Sequence, residues 1–203
     1  MKQHLQDLTE IRSMMERSSR FISLSGLSGI SAGVFALIGA YVAYKRILED
    51  NAGEYLNLLD NAPLLRFIVI DGIIVLTFSL IFAFYFTARQ TRKKGLKLWD
   101  NTSKRLIINM VVPLVTGGFF CLILLQQAPH LIDCATLIFY GLALVNASKY
   151  TFDDVRYLGY IEVALGLACG FMNEWRIGLL FWAIGFGVLH IVYGVVMYRK
   201  YEG

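Results

Sequence analysis

Between Arg20 and Lys45, and again between Arg176 and Arg199, the chain carries no Asp, Glu, Lys or Arg. Uncharged runs of this length match what an α-helix needs to cross a hydrocarbon core of about 30 Å, which takes ~20 predominantly apolar residues. A water-soluble globule needs charges to cover its surface. Here 17% of the 203 residues are charged and 57% are apolar, with 18 glycines besides, whereas a soluble domain holds about 25% charged residues. Composition excludes disorder, collagen and a disulfide-stapled secreted domain. What remains is an all-α integral membrane protein.

Six transmembrane helices are expected, at 22–44, 67–87, 106–126, 131–148, 152–172 and 177–198, between an N-terminal segment (1–21) and a short tail (199–203). The fourth is short and begins near Asp133. The fifth contains Glu162 and falls below a strict hydropathy cut, but the flanking charges require it. With six spans, fifteen Lys and Arg lie in the segments on one side and four on the other, so the positive-inside rule puts both termini in the cytoplasm. Without the fifth span, Arg199 and Lys200 would fall on the wrong face. The N-terminus does not read as a cleavable signal peptide, because polar residues including Asp7, Glu10 and Glu16 precede the first apolar run. Leu5, Leu8, Ile11 and Met15 recur at helical spacing, which predicts an amphipathic cytoplasmic helix within 1–21. Such a helix lies on the bundle or lipid surface, or docks a cytoplasmic protein partner or a second protomer.

Asn61-Ala62-Pro63 reads as a helix start with proline at an early position. Thr151-Phe152-Asp153-Asp154 reads as a capping box opening the fifth span, Asn173 as a cap for the sixth, and Pro113 as a kink in the third. The basic loop 89–105, with Arg89, Arg92, Lys93, Lys94, Lys97 and the interfacial Trp99, sets topology and attracts anionic lipid at about 1 kcal/mol per charge. A nucleic-acid partner is not expected, since no aromatic-interleaved domain accompanies these charges.

In lipid the hydrophobic effect no longer drives helices together, so close approach at small residues matters. Ser25, Gly29 and Gly33 recur every four residues in the first span, and Gly166 and Gly170 do so in the fifth. Glu162 has Gly159 three residues before it and Gly166 four after; His190 has Gly187 and Gly194 at the same offsets. Antiparallel helices turning near Trp175 place Glu162 and His190 within ~3 Å of the same depth at 1.5 Å per residue. The two are therefore expected to meet across that hairpin, about a third of the way in from the cytoplasm. A lone intramembrane carboxylate costs at least ~2.5–3.5 kcal/mol, and pairing is the usual remedy. This pair either fixes the hairpin or forms a proton-titratable site. Metal ligation is disfavoured, since two ligands are too few for zinc and neither HExxH nor a Cys cluster is present. No cofactor is expected.

The same depth argument, for spans turning near Ala128, pairs Asn109 with Asn146 as an amide pair and sets Cys121 level with Cys134. A disulfide between those two is conceivable in an oxidising periplasm, yet cysteines in apolar segments usually act as small hydrophobes, and both readings stay open. Asp71 and Asp133 approach from the external side. They are expected either to be surface acids or to form a cation-attracting vestibule, with Glu49, Asp50, Glu54 and Asp60 nearby.

The opening Ile11-Arg-Ser-Met-Met-Glu-Arg-Ser-Ser-Arg-Phe-Ile-Ser-Leu-Ser-Gly-Leu-Ser-Gly29 and the close Gly178-Leu-Leu-Phe-Trp-Ala-Ile-Gly-Phe-Gly-Val-Leu-His-Ile-Val-Tyr-Gly194 resemble small multi-span inner-membrane proteins of Gram-negative bacteria. The resemblance implies an inner-membrane location and carries over no activity and no functional residue. Two functions are expected on the residues themselves. The first is a non-enzymatic sensing, scaffolding or regulatory membrane component. The second is a small proton- or cation-coupled transporter or channel using Glu162 and His190, with Asp71 and Asp133 at its mouth. The chain shows no nucleophile–base motif and no histidine pair for haem, so an enzyme is not expected.

Overall fold

A computed structural model describes residues 21, 24–49, 61–172 and 175–203. The amphipathic helix expected in 1–21 and the cap expected at Asn173 lie outside the described residues, Phe21 apart. Within them the regular elements are α1 (Gly26–Glu49), α2 (Ala62–Lys93), α3 (Asn101–Gln127), α4 (Ile132–Ala147), α5 (Asp154–Gly170), α6 (Trp175–Trp182) and α7 (His190–Tyr201). Short 3-10 turns stand at Pro129–Leu131 and Ser148–Tyr150, and a π-helical segment, Ala183–Leu189, joins α6 to α7 into one last helix. Among the described residues five stretches are long and apolar enough to cross a membrane: Gly26–Glu49, Ala62–Lys93, Asn101–Gln127, Pro129–Tyr150 and Ile177–Tyr201. The helix around Glu162, α5, has 17 residues and is not among them.

Capping explains where several helices begin and end. Asn61 accepts from Leu64 N–H at 3.1 Å, with Pro63 in the first turn of α2. This helix runs past the expected end at Thr87 and takes in Arg89, Arg92 and Lys93. It stops at Gly95, where φ is 65°, and Leu96 N–H reaches back to Thr91 O at 3.0 Å. That left-handed closing residue favours glycine. The following helix, α3, starts earlier than expected because Asp100 and Ser103 cap each other, at 2.6 Å and 2.9 Å, and it continues through Pro113. The capping box expected before α5 does not form. Asp153 at the cap makes no side-chain capping bond, and the Thr151 hydroxyl instead donates to Phe21 O at 2.8 Å. With Phe21 N–H donating to Tyr150 O at 2.7 Å, this ties the entrance of α1 to the entrance of α5.

Across the bundle α2 packs on α1, α1 on the last helix, the last helix on α4 and α5, and α3 on α4. Where α1 meets the last helix the contact is backbone to backbone. A Cβ on Gly33 would stand 2.5 Å from Gly187 O, one on Gly29 would stand 3.1 Å from His190 O, and one on Gly194 would stand 2.6 Å from Gly26 O. The α4–α5 seam is equally close: a Cβ on Gly159 would stand 2.7 Å from Gly141 O, and one on Gly166 would stand 2.8 Å from Cys134 O. The two closest couples are therefore α1 with the last helix and α4 with α5, and not the hairpin of the fifth and sixth spans. The reason is angular. At ~100° per residue, positions three before and four after a residue lie about 40–60° round from it, enough to aim the glycines at a different neighbour. Gly170 has nothing within 4 Å of its Cβ position among the described residues, and Ser25 lies just before α1. Gly170 stands off the packing faces, whereas Ser25 is buried and its hydroxyl donates to Glu202 just past the last helix. Phe35 meets Phe78 and Phe82 between α1 and α2, and Phe120 meets Phe139 between α3 and α4. The outer faces of α2 and α3 stay apolar and exposed, as at Ile73, Leu80, Phe84, Val112, Phe119 and Leu122, which suits a surface bathed in hydrocarbon.

Candidate intramembrane polar site

The most buried ionisable side chain described is Glu162, at 0% exposure in the middle of α5. Its Oε1 lies 3.5 Å from His190 Nδ1. Neither carboxyl oxygen has a hydrogen-bond partner among the described residues. Space for the group comes from Gly185, where a Cβ would collide with Glu162 Oε2 and Leu137 Cδ2 at 2.5 Å each. His190, 6% exposed, uses both ring nitrogens. Its Nδ1 stands 2.9 Å from Gly185 O and its Nε2 stands 2.8 Å from the Tyr140 hydroxyl. A carbonyl only accepts, so Nδ1 carries the hydrogen; in the neutral ring Nε2 then accepts and Tyr140 donates. Glu162 Oε1 lies beside the N–H that Gly185 already holds.

The π segment builds this arrangement. Gly185 lies within it and His190 follows it directly, with its backbone N–H on Gly187 O, so that the imidazole turns back onto the Gly185 carbonyl. The Tyr140, Phe186 and Trp182 rings wall the site, with centroids 4.9 Å apart at each step, and Tyr140 also meets the His190 ring at 5.3 Å. Sequence reasoning missed Tyr140 and the π segment. Tyr140 had a signal: helices turning near Tyr150 put it at the depth of Glu162, by the same arithmetic that pairs Glu162 with His190. The Gly-rich run Ala183–Leu189 gave no comparable sign.

The other expected sites fall differently. Asp71 Oδ2 lies against Gly39 of α1, 3.3 Å from its Cβ position, whereas Asp133 Oδ2 lies 3.0 Å from that of Gly178 in the last helix. The two acids therefore serve different helix pairs. Of the loop acids, Asp50, Glu54 and Asp60 lie outside the described residues. Cys134 is bonded not to Cys121 but to Cys169, with Cα atoms 5.5 Å apart, and Cys121 is free. The close α4–α5 seam brings Cys169 nearer to Cys134 than α3 brings Cys121. Asn109 and Asn146 meet, though not as an amide pair: Asn146 Nδ2 donates to the Asn109 backbone carbonyl at 2.9 Å, while Asn109 Nδ2 donates to Arg105 O at 2.8 Å. No cluster of three metal-ligating side chains occurs among the described residues.

Comparison with protein families, with curated proteins and with solved structures finds no match.

Proposed function

We propose that this is a six-span protein of the bacterial inner membrane, with both termini in the cytoplasm, and that it acts as a non-enzymatic, proton-sensing component switched at Glu162. The observation that carries this reading is the carboxyl itself: fully buried, both oxygens unpartnered, beside an imidazole N–H. Carboxyls that serve only structure are normally held by donors. This one leaves its lone pairs unused, and the ligand it lacks is a proton. Gain or loss of that proton changes the charge of a fully buried site beside an imidazole, a side chain that can both donate and accept a proton.

Several observations support the membrane placement. At 17 residues and ~1.5 Å each, α5 is about 26 Å long, near the lower limit for crossing. The Cys134–Cys169 bond joins α4 and α5 at the ends remote from the Ser148–Tyr150 turn. Disulfides persist in oxidising compartments, which favours the periplasm for that end. The basic residues closing α2 and opening α3 then stand at the cytoplasmic leaflet, where they attract anionic lipid.

A second reading, a proton- or cation-coupled transporter, is favoured by the π segment, because interrupted helices at the binding site are a recurring device of transporters. One preparation tests both. In nanodiscs, the infrared carboxyl band of wild type should change with pH and be absent from Glu162→Gln, whose helical content should be retained. A wild type with no pH-dependent band assignable to Glu162 refutes the proton-binding reading. Proton flux in proteoliposomes that collapses in both Glu162→Gln and His190→Ala would replace sensing with transport.

A further inference from the structure

Resting on the proton-binding reading, we propose that Glu162 exchanges its proton with the cytoplasm along a row of tyrosine hydroxyls, Tyr201, Tyr193 and Tyr140, that begins at Asp154 and ends at His190. The outer end is in place. Asp154, at the start of α5, accepts from the Tyr201 hydroxyl at 2.7 Å and from Lys200 Nζ at 2.9 Å and 3.0 Å. So is the inner end, where the Tyr140 hydroxyl is bonded to His190 Nε2 at 2.8 Å. Between them stands Tyr193, whose hydroxyl is buried and has no hydrogen-bond partner among the described residues. A stranded polar atom needs an explanation, and position supplies one. Tyr140, Tyr193 and Tyr201 all pack against the cluster of Leu144, Phe152, Val155, Leu158 and Met197. On the last helix, His190, Tyr193, Met197 and Tyr201 follow at intervals of three and four residues, which keeps them on one face.

The titratable groups along this line are Tyr140 from α4, Asp154 and Glu162 from α5, and His190, Tyr193, Lys200 and Tyr201 from the last helix. Against this stretch of the last helix α1 presents Gly26, Gly29, Gly33 and Ile30, and Lys94, just past α2, stands 6.0 Å from the Phe152 ring. Loading moves one proton and no electrons. A hydronium ion in the cytoplasm protonates the Asp154 carboxylate and leaves water. With rotation of the hydroxyls, and water molecules bridging the gaps on either side of Tyr193, each tyrosine oxygen gains one O–H bond as it gives one up. His190 takes the Tyr140 proton at Nε2 and passes its Nδ1 proton to Glu162 Oε1. Every tyrosine ends neutral, Asp154 is again a carboxylate, and Glu162 has become a carboxyl. The ring now turns a bare Nδ1 toward Gly185 O, and departure of the proton by the same path restores it.

The test is a pH jump on the nanodisc protein, following the Glu162 infrared band in time. Tyr193→Phe should slow the change on the order of a hundredfold, the scale on which a positioned proton carrier acts, with unchanged final amplitude. Asp154→Asn should slow it as well. Removing an unpartnered hydroxyl does not cost stability, so Tyr193→Phe should melt no lower than wild type, which a purely structural role for Tyr193 would not pair with slow loading. A wild-type rate in Tyr193→Phe overturns the route and leaves the proton site standing. A wild type with no Glu162 band overturns both.

Discussion

Alanine at Gly141 and at Gly159 should each weaken the bundle, and the pair together should cost little more than either one. A Cβ on Gly141 falls 2.6 Å from Gly159 O, where ordinary contact begins at 3.4 Å, so α4 and α5 must part by roughly 0.8 Å. The obstruction is backbone, so no rotamer change relieves it. Overpacking of this kind costs about 1–3 kcal/mol, and alanine returns up to ~1 kcal/mol of helix propensity. A single substitution should therefore cost about 1–2 kcal/mol. The Gly159 Cβ presses on Gly141 O, at 2.7 Å, across the same gap. Once one methyl has opened the seam the second finds it open, so a double-mutant cycle should show a favourable coupling of about 1–2 kcal/mol. Gly118 has nothing within 4 Å of its Cβ position among the described residues and serves as the control, with Gly118→Ala neutral or slightly stabilising. Reversible unfolding in mixed micelles, followed by helical circular dichroism, gives all four free energies. Strictly additive costs at 141 and 159, or costs no greater than at 118, would refute the backbone-contact argument.

Two further outcomes follow from contacts elsewhere. Without reductant a maleimide should label only Cys121; after reduction, or in Cys134→Ser, Cys169 should become reactive, and labelling of three thiols in untreated protein would contradict the Cys134–Cys169 bond. Glu202 accepts from Gly26 N–H at 2.5 Å and from Ser25 Oγ at 3.1 Å, capping α1 from the far end of the chain. Its replacement by alanine should cost about 0.5–2 kcal/mol, read as a lowered melting temperature, and an unchanged melt would show the cap to be dispensable.

How much of this was legible in the sequence differs with the kind of information. Charge-free runs mark where helices lie, because the membrane penalty for a charge is paid wherever the helix points. Depth along a helix is legible too, since 1.5 Å per residue is fixed, and it sets Glu162 level with His190. Which neighbour a face meets is not. Gly159 and Gly187 read as walls of one hairpin and in fact face α4 and α1, a matter of some 50° of rotation and of which helix happens to stand there. Cys134 illustrates the same limit: Cys121 sits at the right depth, and Cys169 sits on the helix that packs closer. The Thr151 hydroxyl was readable as a cap because it precedes two acids, but a carbonyl distant in sequence, Phe21 O, takes it instead. The π segment leaves no mark on hydrophobic periodicity strong enough to read.

The last helix stands between α1 and the α4–α5 pair, and away from the Phe21–Thr151 tie little else joins them among the described residues. The molecule is thus two arms sharing one axle, with Glu162 and the irregular turn set where the axle is gripped from one side. A change of charge there alters the grip of one arm, and the other can respond only by turning with the axle or slipping against it. Even a small event at a single carboxyl therefore has a direct mechanical path to the α1–α2 arm and to the helix ends that it carries.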